Sequence, residues 1–357
     1  MRRGLLVGFT AALVLALGAG PALACGALVS PNGTIQLVRT TTLAAYHDGV
    51  EHYVTGFKFV GDGAKFGSIV PLPAIPSKIV RGGDWTLQRL VREVRPPLFA
   101  FRAVSLHTAG AAGNAVVLQE KDIDALHLTV LKGGGFAVGK WATEHGFVLP
   151  PDAPTVLDFY ADRSPIFMAV QFDAKKAARR GENQGDAIPI HLVMPTKEPW
   201  VPLRILGLGA PATSTIEADV FLLTDQVPNM LPVPVHAAGV GQRAPGLRQQ
   251  RSEEASRLLL RDLRKDKGMG WLPNKGMWLT FLTLDARAGD LTYDLALNVH
   301  HGAPSPVDAG LSSSQTASPP SSGSRAGLWA IVAAVALLGT MVVVAARERR
   351  GSGRIAI

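Results

Sequence analysis

Short apolar runs broken by polar and turn residues recur between residues 34 and 300, and TIQLVRTTTLAAYH and HYVTGFKFVG among them read as strands. Between these two runs lies HDGVEH, whose Asp48-Gly49 dipeptide is a hairpin turn signal, so the pair reads as a β-hairpin. FGSIVPLPAIP reads as a buried strand ended by prolines, and AVVLQEKDIDALHLTVLKG as mostly strand. Further strands are expected in IFMAVQFDA, IPIHLVMP, PLRILGLG, IEADVFLLT, GMWLTFLTLDA and LTYDLALNVHH. Helical spacing appears in WTLQRLVREV, with Asp84 as its expected cap and Pro96-Pro97 beyond its end. It recurs in GGFAVGKWATEHG, closed by Gly146, in APTVLDFYADR, with Asp152 as expected cap, and in the polar run RSEEASRLLLRDLRKD. FRAVSLHTAGAAGNA and the charged KKAARRGENQGD read as loops. The pattern predicts an α+β fold, sheet-dominated, with helices inserted between groups of strands.

The two ends follow a different pattern. Arg2 and Arg3 precede an apolar run from Leu5 to Leu17, and Ala22-Leu23-Ala24 supplies the small residues of a signal peptidase site. Residues 1–24 are therefore expected to be a signal peptide. Near the other end, 326–346 is a run of 21 uncharged residues, enough to cross a bilayer as one helix. Trp329 stands at its outer end, and Arg347, Arg349, Arg350 and Arg354 follow. A cationic flank stays in the cytoplasm, so the expected topology is single-pass in the cell membrane, with the body outside and 347–357 inside. Residues 302–325, rich in Ser, Pro, Gly and Ala, read as an unpacked stalk. The extracytoplasmic globular region is then 25–301.

That division changes the meaning of the charge. The whole chain carries +8, but the region 25–325 only +3, because much of the excess belongs to the topology signals. No nucleic-acid partner is expected. The single cysteine, Cys25, rules out an internal disulfide framework and stands at the first expected mature position. It is a candidate for a lipid or for an interchain disulfide. The order Ala22-Leu23 fits the ordinary peptidase better than the lipoprotein pathway, and a membrane helix makes a lipid redundant.

Three segments carry a resemblance: KFGSIVPLPAIPSKI, WATEHGFVLPPDAPTVLDFYADRSPIFMAVQFD and IPIHLVMPTKEPWVPLRILGLGA. Together they resemble the bacterial family known as domain of unknown function 2330, found in exported, membrane-tethered proteins. Trp141, Gly146, Phe147, Pro150, Tyr160, Asp162, Pro199, Pro202, Leu203 and Arg204 stand at its motif positions. Phe147 replaces the usual Tyr, and Ala142 the usual Leu. The resemblance implies an exported domain and brings no catalytic site with it. Physically, Trp141 and Phe147 read as core anchors. Arg204, in an apolar strand, needs a carboxylate or carbonyl partner, with Asp162, Glu198 or Glu217 as candidates for an internal ion pair, or else is a clamp for a ligand carboxylate.

Catalytic signatures are missing. There is no G-x-S-x-G, and Ser105 and Ser164 have no supporting context. Gly134, Gly139 and Lys140 fit part of a phosphate loop, but Trp141 stands where its hydroxyl residue belongs. No cofactor motif is present. His47 and His52 are the candidate metal ligands: with Asp48 to Glu51 as a four-residue loop they become cross-strand neighbours, with both carboxylates beside them. His300 and His301, in a strand, would point to opposite faces. The expected role is a membrane-anchored module that binds an envelope protein or cell-surface ligand. The alternative is an envelope enzyme or metal-binding protein with a cryptic site.

Overall fold

The computed structural model describes residues 27–29, 40–58, 65–95, 115–181 and 187–311. The signal-like and membrane-like segments, Cys25, Ser105 and the loop expected over 101–115, except Ala115, lie outside those residues. In chain order the elements are β1 Ala27–Val29, β2 Thr40–His47, β3 Val50–Lys58, β4 Lys65–Leu72, β5 Lys78–Arg81, α1 Thr86–Val94, β6 Val116–Ile123 and β7 Leu126–Lys132. Next come α2 Gly135–Glu144, α3 Ala153–Ala161, β8 Ile166–Asp173, α4 Ala174–Arg179, β9 Ala187–Pro195, β10 Trp200–Val201 and β11 Thr215–Thr224. The chain continues through β12 Asn229–Leu231, β13 Val233–Val235, β14 Arg243–Glu254, α5 Arg257–Arg264, β15 Trp278–Arg287 and β16 Leu295–Asn298. The fold is α+β and sheet-dominated.

Three sheets share the strands. The largest has the order β13-β14-β15-β11-β2-β3-β9-β5, with parallel pairs only at β11·β2 and β13·β14. A five-stranded antiparallel sheet runs β1-β4-β8-β7-β6, and a small one runs β10-β16-β12. Strand parity sorts the apolar side chains of the large sheet into two cores. Ala44, Tyr53, Leu192, Val220 and Leu282 join a cluster with the five-stranded sheet, α2, α3 and the small sheet. Leu43, Ala45, Val54, Phe221 and Phe281 face the other way and are covered by α1, α5 and the segment around Met269 and Leu272. Both faces of the central strands are therefore buried.

Trp141 and Phe147 are core residues, as expected; a side chain at Gly67 would collide with the Phe147 ring. Four expectations need correction. PLRILGLG is no strand: Arg204–Gly207 is a 3-10 turn, because its backbone N–H groups bond to buried side chains instead of a neighbouring strand. KKAARRGENQGD is not all loop: its first five residues belong to α4, capped by Asp173, whose carboxylate accepts from Lys176 N at 2.9 Å. RSEE belongs to β14, and α5 begins only after Ser256. The packed body also reaches past 301 to Leu311: Ala309 and Leu311 are buried, and Asp294 N donates to Ala309 O at 3.0 Å.

Candidate functional site

Imidazoles gather at one end of the large sheet, around the β2–β3 turn. Asp48 and Gly49 both have positive φ, 49° and 79°, the geometry of a two-residue primed turn. The loop is thus two residues long rather than four, and Glu51 lies within β3. His47 pairs with Val50 and His52 with Ala45, so the two histidines share a face as diagonal neighbours. Tyr46 and Glu51 point to the opposite face.

His52 turns away from His47 and toward β9. Its Nδ1 lies 2.9 Å from Nε2 of His191, and Trp271 stacks on its ring at 3.6 Å between centroids. Burial, then the neighbouring His191 and His47, lowers His52 to a pKa of about 3. Burial, and then Lys78, lowers His191 to about 4. Both rings are neutral at pH 7 and share one proton across the 2.9 Å contact. Nδ1 of His191 has no hydrogen-bond partner among the described residues. Gly268, at φ +86°, approaches it so closely that a Cβ there would lie 3.0 Å from that nitrogen.

His47 faces Asp225, which follows the end of β11. Its Nδ1 is 2.6 Å from Asp225 Oδ1, its Nε2 is 3.4 Å from Asp48 Oδ2, and the backbone N–H of Asp48 donates to Asp225 Oδ2 at 3.3 Å. One potential ligand atom from each of His47, Asp48 and Asp225 lies within 4.8 Å of the others. Of the expected metal set, His47 and Asp48 come together, while His52 and Glu51 do not. Asp225 was invisible in the sequence, because its place beside His47 depends on the parallel β11·β2 pairing.

Buried carboxylates elsewhere are fully engaged. Oδ1 of Asp294 accepts from Tyr160 Oη, Leu203 N and Arg204 N at 2.7–2.9 Å, and its Oδ2 from Arg163 Nη2 at 2.5 Å. Tyr160 Oη in turn accepts from Ile205 N at 2.8 Å. Arg163 is therefore the buried guanidinium of the ion pair, lying over Phe159, Tyr160 and Trp200. Arg204 is half-buried, and its guanidinium stacks on Phe159 at 4.0 Å. None of Asp162, Glu198 or Glu217 pairs with it among the described residues. Asp219 holds Arg95 through both oxygens, and Asp266 accepts from Trp85 N, Thr86 N and Thr86 Oγ1. Glu51 is the contrast: fully buried, with both oxygens unpartnered among the described residues. Burial alone raises its pKa well above the carboxylate range.

Several rejected sites are structural. Gly134 caps α2, and Lys140 pairs with Glu144 on that helix. Ser164 donates to Leu72 O at 2.6 Å. His300 and His301 lie beyond β16, both exposed, so the strand argument does not apply to them.

Tyr160, Leu203 and Arg204, three of the positions that carry the family resemblance, take part in the Asp294 knot. Residues 19–226 match the model of DUF2330, described as an uncharacterized protein conserved in bacteria. The chain belongs to that family. No curated protein matches it. Among solved structures, baculovirus P35 is similar at 10% identity and a TM-score of 0.36, covering 76% of this chain and 99% of its own. A mutated baculovirus P35 after caspase cleavage gives the same identity and score and covers 73% of this chain and 99% of its own. A likeness of that degree does not establish a common fold.

Proposed function

We propose that the protein is an exported, single-pass membrane protein whose body stands outside the cell membrane and binds a partner in the envelope without catalysing a reaction. The observation that carries this reading is the pairing of a signal-like N-terminus with an uncharged 21-residue run and its arginine flank. The first strand begins at Ala27, so cleavage after Ala24 leaves the mature chain free to enter the sheet almost at once. At the other end the packed body closes at Leu311, which leaves 312–325 as the stalk. No helix among the described residues is long and apolar enough to cross a membrane, and the proposed span lies beyond them.

Carbonate extraction and external protease test the topology together. The protein is expected to stay with the membrane pellet, and protease added to intact cells or spheroplasts is expected to remove the body while sparing an epitope on 347–357. A body that is released by carbonate, or that is protected from external protease, contradicts the proposal.

A further inference from the structure

His47, Asp48 and Asp225 are arranged as a metal site is arranged before its metal enters. Metal-ligating histidines commonly give their second ring nitrogen to a carboxylate, which fixes the ring and raises its basicity. Asp225 takes that position, 2.6 Å from Nδ1 of His47. The ring's other nitrogen, Nε2, lies 3.4 Å from Asp48 Oδ2, a separation that a proton on the ring or a metal ion in its place can bridge. A cation about 2.0–2.1 Å from each would be held at an angle of about 110°, close to the tetrahedral preference of zinc.

The frame that holds these atoms is stiff. His47 ends β2 and Asp225 directly follows β11, two strands in parallel register; the residues are 178 positions apart, so the pairing does not arise from one loop. The backbone of Asp48 is held by the primed turn and by its bond to Asp225. Behind His47, the Trp271 ring fills the space toward the buried His52. The outer side is open, since the Asp48 side chain is 87% exposed, and solvent can supply the remaining ligands.

We propose that His47 and Asp48, oriented by Asp225, bind a divalent transition-metal ion of the zinc type. The site is independent of the membrane-anchoring reading and stands or falls without it.

The test is a zinc titration by calorimetry at pH 8, using the full-length protein in detergent, purified without a histidine tag. One saturable ion per chain is expected. D48N should weaken it at least tenfold, D225N by about 10–100-fold as an outer-shell partner, and H47A should abolish it. H127A, in the five-stranded sheet, should leave it unchanged. D48N is the decisive variant: the side chain is exposed, and Asn tolerates the same positive φ, so folding is preserved. No saturable binding by the wild type, or binding that D48N leaves undiminished, overturns the proposal and makes the His47–Asp48 contact a proton-bridged pair.

Discussion

Glu51 and the His52–His191 pair pull stability in opposite directions with pH. A carboxyl buried without donors keeps its proton, whereas in the unfolded chain it releases that proton above about pH 4.5. The stability this gives is complete below that pH and is lost as pH rises toward the folded value, at a slope of about 1.4 kcal/mol per unit. E51Q removes the titration. Its stability relative to wild type should therefore rise between pH 4.5 and pH 7.5 in urea unfolding; parallel curves for the two proteins would refute the buried neutral acid. The histidines behave inversely. Their folded pKa values, about 3 and about 4, lie below the ordinary 6.5, so their stabilisation is present above pH 6.5 and is lost as pH falls toward 4. H52F, which keeps a ring against Trp271, should flatten the slope between pH 6.5 and pH 4.5, and an unchanged slope would count against the pair. The sequence displayed all three residues and none of these roles. His191 sits 139 positions from His52, and only strand pairing brings them together.

At the scale of elements, local chemistry was legible and remote chemistry was not. The β2–β3 hairpin follows from Asp48-Gly49, and α2 ends at Gly146, where φ is 89°. The cap of α1 is different. Asp84 precedes that helix in sequence, yet its carboxylate pairs with Arg81 and is largely exposed. The carboxylate that accepts the first N–H groups is Asp266, 180 positions away and buried. D266A should cost about 2–4 kcal/mol, since it removes the cap and leaves buried donors unpaired. D84A should cost under about 1 kcal/mol, as exposed ion pairs do. Thermal or urea unfolding compares the two; equal costs would return the cap to Asp84. PLRILGLG fails as a strand for the same reason. Its apolar pattern suits a sheet, but Leu203, Arg204 and Ile205 give their N–H groups to Asp294 and Tyr160, and no local signal announces a partner some 90 residues downstream.

At the scale of the whole molecule, the family match ends at residue 226, while the body that carries it closes at Leu311. Strand β11 is flanked by β15, and the Asp294 knot joins α3 to residues 203–205 and, through Arg163 and Asp308 O, to the segment before Leu311. The α+β, sheet-dominated architecture was legible from short, nearly continuous apolar runs punctuated by turn residues, because both faces of the central strands are buried. The end of the body was not, since Ser and Pro in 302–311 look like stalk, although Ala309 and Leu311 are buried. The central claim is that this body is exported and held at the membrane by its own helix. The most direct measurement is the intact mass of the native protein, taken from its own membranes without reductant. A mass running from Cys25 to Ile357, recovered in the membrane fraction, is the predicted result, with any adduct on Cys25 read from the difference. A chain that retains residues 1–24, or one that is soluble while keeping 326–346, would contradict it.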